Sequence, residues 1–456
     1  MIILVSKKTD PLFIEFTVNG IDENESVMFI WEDDFYKSLL HCDLTQVRNK
    51  VTYFSGLNKP FSFFKNDVTF KIVRLKNYKV LFEHKFTNLS FIEGNIINFI
   101  SANNKTGYGY ASRNYIYQLQ NQKYDVYWNV KNYFESNYEP TCISEKNIFE
   151  KLDKQTDNNE YDTCIIKTTP NEWQKIIQNE NIICKKLLAS TVWETTKLNK
   201  NWVNLINESA VEEVIIPSQF NYEIFKNSGV EKPLHIWKYD ILPPEINNLV
   251  SIKSLTEKMR LYKESKFIRH DIQIENILNT KTVYYNISQY TERKNLDQMI
   301  KTFCTRFTKN DNVCLFVKTS LKDVIPSQTE WLKYKINEIV KHFKNPPDLI
   351  FCFQDLSEIE IQSLHNNFDV YFTLNRGEGF GLCSYTAKKF GNKVICGKFG
   401  AEKEFLDGSD ILIDYELIPT FNMYHFHSYY DDNDQMWASY KNTDVLKALE
   451  YIPKKI

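Results

Sequence analysis

From Asn95 onward the chain alternates short runs of β-branched and aromatic residues with stretches of helical spacing, and this rhythm restricts the possible folds most. The runs NIINFI (95–100), DVYWNV, TCIIK, CKKLLAS and EEVIIPS come first, with a glycine turn expected at Gly107-Tyr-Gly109 and helices at ASRNYIYQLQ, 170–180 and 219–228. After a long charged helical stretch around 252–266, a second series begins at TVYYNI and continues through VCLFVK, LIFCF, DVYFTL and KVICG. Helical patterns near 294–308, 328–342 and 356–366 lie between its runs. Strands that are apolar almost throughout are buried on both faces, so each series predicts a parallel sheet covered by helices.

Residues 1–92 follow a different pattern. LFIEFTV, SVMFIW, VTYF, FKIVRL and KVLFEHKF alternate partly with period two, predicting a small β-rich unit whose strand order the sequence does not fix. The 456 residues amount to about three times the ~150-residue prior for one domain. The expected divisions are a β-rich domain at 1–92, α/β domains at 93–245 and 246–420, and a closing segment at 421–456 with a helix at 443–452. Pro233, Pro243 and Pro244 mark the junction between the α/β domains.

Lys and Arg total 56 against 58 Asp and Glu, so no global charge recruits nucleic acid or anionic lipid. The nine cysteines are odd in number and form no CxxC pair. Cys164, Cys184, Cys304, Cys314, Cys352 and Cys396 sit in or beside apolar runs, as free buried thiols of a reducing compartment do. No apolar stretch reaches the ~20 residues of a membrane helix, and the opening MIILVSKKTDPLFIEF does not read as a secretory signal. A cytoplasmic location is expected.

The segment Asn375-Arg-Gly-Glu378-Gly379-Phe380-Gly381-Leu382 directly follows DVYFTL. Glycines at a strand-to-helix junction admit close backbone approach, and the amides of the following helix favour an anion. Glu378 places a carboxylate at the same point. The spacing is neither GxxxxGK[ST] nor GxGxxG. Asp432-Asn-Asp434 has the form of a DxD metal site but follows the second α/β series, and His425 and His427 form no ligand cluster, so no metal is expected. Trp193, Trp202 and Trp437 fit either sugar stacking or an aromatic core.

The order of these motifs resembles a retaining GT-B glycosyltransferase of family four, the large family that includes sucrose synthase and mannosyltransferases. Glu378-Gly-Phe-Gly-Leu382 resembles its donor-sugar loop, and Gly391, Val394 and Ile395 the glycine and strand beyond. Trp193-Glu194, Pro217-Ser218-Gln-Phe220 and Ser228-Gly229-Val230 resemble the path through the first domain, which begins at Gly107-Tyr-Gly109 and Arg113. The resemblance spans roughly 93–456 and implies two facing Rossmann-like domains, acceptor-side then donor-binding. The stretch around Trp437 would be the C-terminal crossover packing back onto the first domain.

That resemblance implies a nucleotide-diphosphate sugar donor, UDP- or GDP-linked, no required cofactor, and a glycan, lipid or protein acceptor. Glu378 would face the transferred sugar as the catalytic carboxylate. Lys294, with Arg293 and Lys318 as further candidates, would hold the diphosphate. Gly107, Gly109, Gly379, Phe380, Gly381, Leu382 and Thr386 would line the donor site, with Arg113, Trp193 and Glu194 toward the acceptor. The sequence departs from the family pattern in two places. Thr386 stands where a second acid usually binds the donor ribose, and Ser288 and Gln289 occupy the region of the usual upstream arginine. A noncatalytic nucleotide-sugar-binding subunit and a nucleotide-sugar epimerase of the same fold are the alternatives.

Overall fold

The fold is that of a computed structural model describing residues 2–9, 12–18, 26–33, 39–46, 52–56, 68–74, 80–86, 89, 91–104, 106–131, 161–179, 182–240, 249–259, 261–263, 266–268, 272–321, 326–423, 427–430 and 434–451. The chain divides into two compact units, Met1–Glu93 and Gly94–Ile456.

In the smaller unit β1 (Ile2–Thr9), β2 (Leu12–Val18) and β5 (Thr52–Gly56) form an antiparallel sheet in the order β1-β2-β5. A second antiparallel sheet orders β3 (Ser26–Asp33), β4 (Leu39–Gln46), β6 (Val68–Arg74) and β7 (Val80–Phe86) as β4-β3-β6-β7. Val27, Phe29 and Trp31 are buried along β3 and Trp31 packs on Phe70 at 4.9 Å, so the period-two pattern becomes one apolar face.

The larger unit opens with β8 (Ile96–Ser101), β9 (Asp125–Val130), β10 (Tyr161–Lys167), β11 (Cys184–Ser190), β12 (Glu213–Ile216) and β13 (Leu234–Ile236). They form a parallel sheet in the order β13-β12-β11-β10-β8-β9. Among the described residues the helices of this half are α1 (Gly107–Asn121), α2 (Pro170–Asn179), α3 (Lys200–Glu208) and α4 (Gln219–Asn227). Strand order reverses at β8 and β10, so their carboxyl ends flank a topological switch point.

The second half contains β14 (Leu261–Lys263), β15 (Lys266–Ile268), β16 (Thr282–Ile287), β17 (Val313–Lys318), β18 (Asp348–Cys352), β19 (Val370–Phe372), β20 (Lys393–Gly397) and β21 (Ile411–Ile413). Their order is β15-β14-β18-β17-β16-β19-β20-β21. From β18 to β21 all pairs are parallel, and the switch point lies between β16 and β19. Tyr284, Leu315 and Phe351 enter one core while Tyr285, Phe316 and Ile350 enter the other, as expected of strands buried on both faces.

Helices α5 (Ile252–Lys258), α6 (Ile272–Thr280), α7 (Leu296–Arg306), α8 (Pro326–Val340), α9 (Glu358–Asn367) and α10 (Leu382–Lys389) accompany this sheet. The chain continues through β22 (Glu416–Pro419), α11 (His427–Tyr430), β23 (Met436–Ser439) and α12 (Asn442–Ala448). Ser357 and Glu360 form a capping box at the start of α9.

Four expectations require correction. The charged stretch 252–266 is not one helix: α5 stops at Lys258, and Leu261 and Tyr262 are buried where β14 pairs antiparallel with the edge of β18. The helix expected at 443–452 ends at Ala448. Gly107 and Gly109 do not form a loop before α1 but occupy its first turn, with the Thr106 side chain accepting from the Gly109 N–H. Pro243 and Pro244 lie outside the described residues. The described cysteines, Cys383 among them, are free thiols, and Cys184 is half-buried rather than buried.

A Cβ on Gly109 would stand 2.1 Å from the backbone carbonyl of Asn104, so the glycine lets α1 start against the β8 turn. Gly109→Ala is expected to cost about 1–3 kcal/mol in denaturant unfolding. Gly408→Ala, with nothing within 4 Å, should stay within about 0.5 kcal/mol of the parent.

Candidate functional site

The turn after β16 and the loop after β19 meet at the switch point of the second sheet. Arg293 and Lys294 lie on the short 3-10 turn Glu292–Lys294, which Asn295 in the left-handed conformation joins to α7. Arg376 braces this turn to the glycine loop. Its side chain donates to the Glu292 carbonyl at 3.1 Å, the Asn295 Oδ1 at 3.1 Å and the Ala438 carbonyl at 3.2 Å. Its own N–H donates to the Arg293 carbonyl at 2.7 Å.

Glu378 accepts from Arg293 at 3.0 Å and from Lys294, and Arg293 donates to the Gly377 carbonyl at 2.7 Å. Burial pushes the Glu378 carboxyl up, but Lys294 and Arg293 outweigh it and hold the group below the ordinary range. On its other side Arg293 lies 3.7 Å from Glu194, whose Oε2 accepts from the Tyr430 hydroxyl at 3.2 Å. Burial alone would lower the Arg293 guanidinium, and the two carboxylates reverse that. Glu194, Arg293, Glu378 and Lys294 thus form a continuous chain of charges across the two halves.

The glycines bring the halves into contact through backbone. A Cβ on Gly377 would lie 2.0 Å from the Glu194 carbonyl, and one on Gly379 would lie 2.6 Å from that of Trp193. The Gly379 carbonyl accepts from Ser218 Oγ and Asn221 Nδ2, both at 2.8 Å, while Asn221 Oδ1 accepts from the Trp193 N–H at 2.7 Å. Glu404 accepts from the N–H groups of Gln219 and Phe220, at 3.1 and 2.7 Å, so a carboxylate of the second half caps α4 of the first.

The other candidates are placed as follows. Phe380 is buried against Tyr239 and Tyr385, Gly381 is the positive-φ N-cap of α10, and Leu382 approaches the position a Gly107 Cβ would take. Thr386 is turned into its own helix, donating to the Leu382 carbonyl at 2.9 Å. Lys318 ends β17 and makes no side-chain bond to Glu378, Arg293 or Lys294 among the described residues. Arg113 is buried, donating to Asn103 Oδ1 at 3.2 Å and the Asn104 carbonyl at 3.0 Å, where it holds the turn after β8. Trp193 is a core residue, stacked on Tyr430 and edge-on to Trp202.

Asp434 pairs with Lys197, and Asp432 and His425 lie outside the described residues. Among the described residues no cluster of His, Cys, Asp and Glu has the form of a metal site, and no helix is long and apolar enough to cross a membrane. The segment around Trp437 does pack back on the first half: the Thr196 N–H donates to the Met436 carbonyl at 2.9 Å and Thr195 Oγ1 to Gln435 Oε1 at 3.1 Å.

Sequence reasoning missed Glu402, Glu404, Arg376 and Asn221. Glu402 is buried against Gly381 and Gly400, which both have positive φ and whose added Cβ atoms would strike its side chain at 2.7 and 3.0 Å. Its Oε1 accepts from Asn375 Nδ2 at 2.8 Å and Ser384 Oγ at 3.4 Å, and its Oε2 has no partner among the described residues. Two left-handed glycines flanking one buried side chain are the trace that the sequence carried.

No protein-family model and no curated protein matches the sequence. Among solved structures, the sucrose-phosphate synthase of Thermosynechococcus elongatus aligns with a TM-score of 0.50 at 10% identity, over 78% of this chain and 88% of that one. An α,α-trehalose 6-phosphate synthase from Burkholderia multivorans gives 0.49 at 9% identity, over 78% and 90%. A UDP-forming trehalose-phosphate synthase from Burkholderia xenovorans gives 0.48 at 9% identity, over 78% and 90%. The likeness to the first of these is one of fold: the larger unit has the GT-B architecture of two Rossmann-like domains, the expected class.

Burial, and then the Glu378 charge, raise the Glu402 carboxyl well above its ordinary range. The unfolded chain therefore releases this proton at lower pH than the folded one, and stability falls as pH rises above the unfolded value of about 4.3. Glu402→Gln should change the melting temperature little near that pH and raise it by about 2–4 °C at neutral pH. A melting series across pH checks this.

Proposed function

We propose that the chain is a retaining, metal-independent glycosyltransferase that moves a sugar from a UDP- or GDP-sugar to a hydroxyl of a glycan, lipid or protein. The observation that carries the reading is the meeting of Glu378 with Lys294 and Arg293 at the second switch point, beside the start of α10. Two adjacent cations and a helix N-terminus offer the donors that a diphosphate needs, most of all as charge develops on it when the sugar leaves.

In this mechanism the diphosphate takes Lys294 and Arg293 away from Glu378. The freed carboxylate faces the sugar, orients its hydroxyls and stabilises positive charge at the anomeric carbon. The acceptor hydroxyl enters on the face that the diphosphate leaves, and a phosphate oxygen receives its proton. Glu194 sits on the acceptor side of the same charge chain. The free thiols accord with a cytoplasmic location.

One observation favours the noncatalytic alternative. Thr386 is buried and bonded within its own helix, so in this conformation it offers the donor ribose no counterpart of the acid expected there.

Incubation with UDP-, GDP-, ADP- and TDP-sugars, with and without EDTA, tests the reading. Nucleotide release from one donor, unaffected by EDTA, is the expected result; donor binding without release or transfer would favour the binding subunit. Glu378→Gln should lower turnover at least about 100-fold while leaving donor binding equal or tighter, because it removes the charge that neutralises Lys294. Lys294→Ala should weaken donor binding about 10- to 100-fold, the loss of one charge-assisted contact. Calorimetry and initial rates separate the two effects.

A further inference from the structure

Glu402 is 1% exposed, and the loop that carries Glu378 is built around it. Its Oε1 is shared by the two ends of that loop: Asn375, just after β19, donates at 2.8 Å, and Ser384, in the first turn of α10, at 3.4 Å. The backbone wraps the side chain closely. A Cβ on Gly381 would stand 2.7 Å from Glu402 Cγ, and one on Gly400 would stand 3.0 Å from its Oε2 and 2.9 Å from the Glu378 carbonyl. That carbonyl accepts from the Ala401 N–H at 3.1 Å. Glu402 thus fixes the backbone from which Glu378 projects, while Lys294 and Arg293 hold the Glu378 carboxylate.

Charge decides the form that Glu402 takes. Arg293 and Lys294 are already matched by Glu378 and Glu194, so an ionised Glu402 would add an unmatched charge to a buried cluster. A buried anion also needs donors on both oxygens, and Oε2 has none among the described residues. Lys294 draws Glu402 toward the charged form, but burial and the Glu378 charge outweigh it. Tyr371 of β19, Cys396 of β20 and Tyr440 beyond β23 act on it as well, and burial holds all three well above their ordinary values, so they bring no compensating charge. Environment therefore pushes the two acids apart, Glu378 down and Glu402 up.

We propose that Glu402 is a positioning residue that keeps its proton, so that it ties the glycine loop together while leaving Glu378 as the one carboxylate of that loop paired with Lys294 and Arg293. Its bearing on the donor site rests on the transferase reading; the proton on Glu402 and its dependence on Glu378 do not.

The test has two arms, both on the full chain. The first follows the Cδ carbons by nuclear magnetic resonance after labelling with 13C-glutamate. Near neutral pH one glutamate should keep the shift of a neutral acid, and that signal should vanish in Glu402→Gln. Glu378→Gln leaves the two cations with a single carboxylate, so Glu402 should ionise there at a pH lower by about one unit or more. The second arm is calorimetric titration with UDP. Glu402→Met, of similar length but without the oxygen that Asn375 and Ser384 share, should weaken binding about 10-fold, and Glu402→Gln, which restores that oxygen without a charge, should recover most of the loss.

A parent chain with no neutral glutamate near pH 7, or a Glu402 signal that ignores Glu378→Gln, would overturn the retained proton. Binding as weak in Glu402→Gln as in Glu402→Met would show that the charge is needed and would overturn it too, and unchanged binding in Glu402→Met would overturn the positioning role. Absence of UDP binding by the parent would count against the donor reading alone, because the resonance arm uses no ligand.

Discussion

The larger unit depends on one backbone carbonyl. Gly379 O is buried at the meeting of the two sheets, where Ser218 and Asn221 both donate to it. A buried carbonyl without donors is costly, so the loop and the start of α4 must stay in register. That requirement explains the glycines on either side: Gly377 and Gly379 lie so close to the Glu194 and Trp193 carbonyls that no side chain fits. The contact positions Glu194 toward Arg293, and so aligns the charges that cross between the halves.

Those charges are balanced internally in the conformation described. Arg293 and Lys294 are held by Glu378 and Glu194, so under the proposed function a diphosphate would have to displace carboxylates as well as water. The competition adds selectivity. A singly charged ligand would compete less effectively for the pair than a diphosphate, and a neutral one would not release Glu378.

Much of the fold was legible because strands buried on both faces must be apolar throughout, as TVYYNI and VCLFVK are. The β14–β15 hairpin was not. The run RLYKESKF favours a helix locally, and pairing of β14 with β18, and of β15 with β14, makes Leu261–Lys263 and Lys266–Ile268 strands. That Glu378 and Lys294 lie together could be read because each belongs to a compact motif. The burial of Glu402 could not, since an acid after a glycine turn ordinarily reaches water. Gly107 and Gly109 misled in the opposite sense: two glycines suggest a loop, but Thr106 caps a helix that starts at the first of them.

The clasp between the first half and the C-terminal segment also bears on how the chain is made. Thr195 and Thr196 find their partners at Gln435 and Met436, 240 residues later. On a ribosome the first sheet is complete long before those partners emerge, so the junction must wait for the second sheet to be made as well. Gln435 and Met436 therefore fasten a sheet that has already folded, and the junction is made last although its first half is made first.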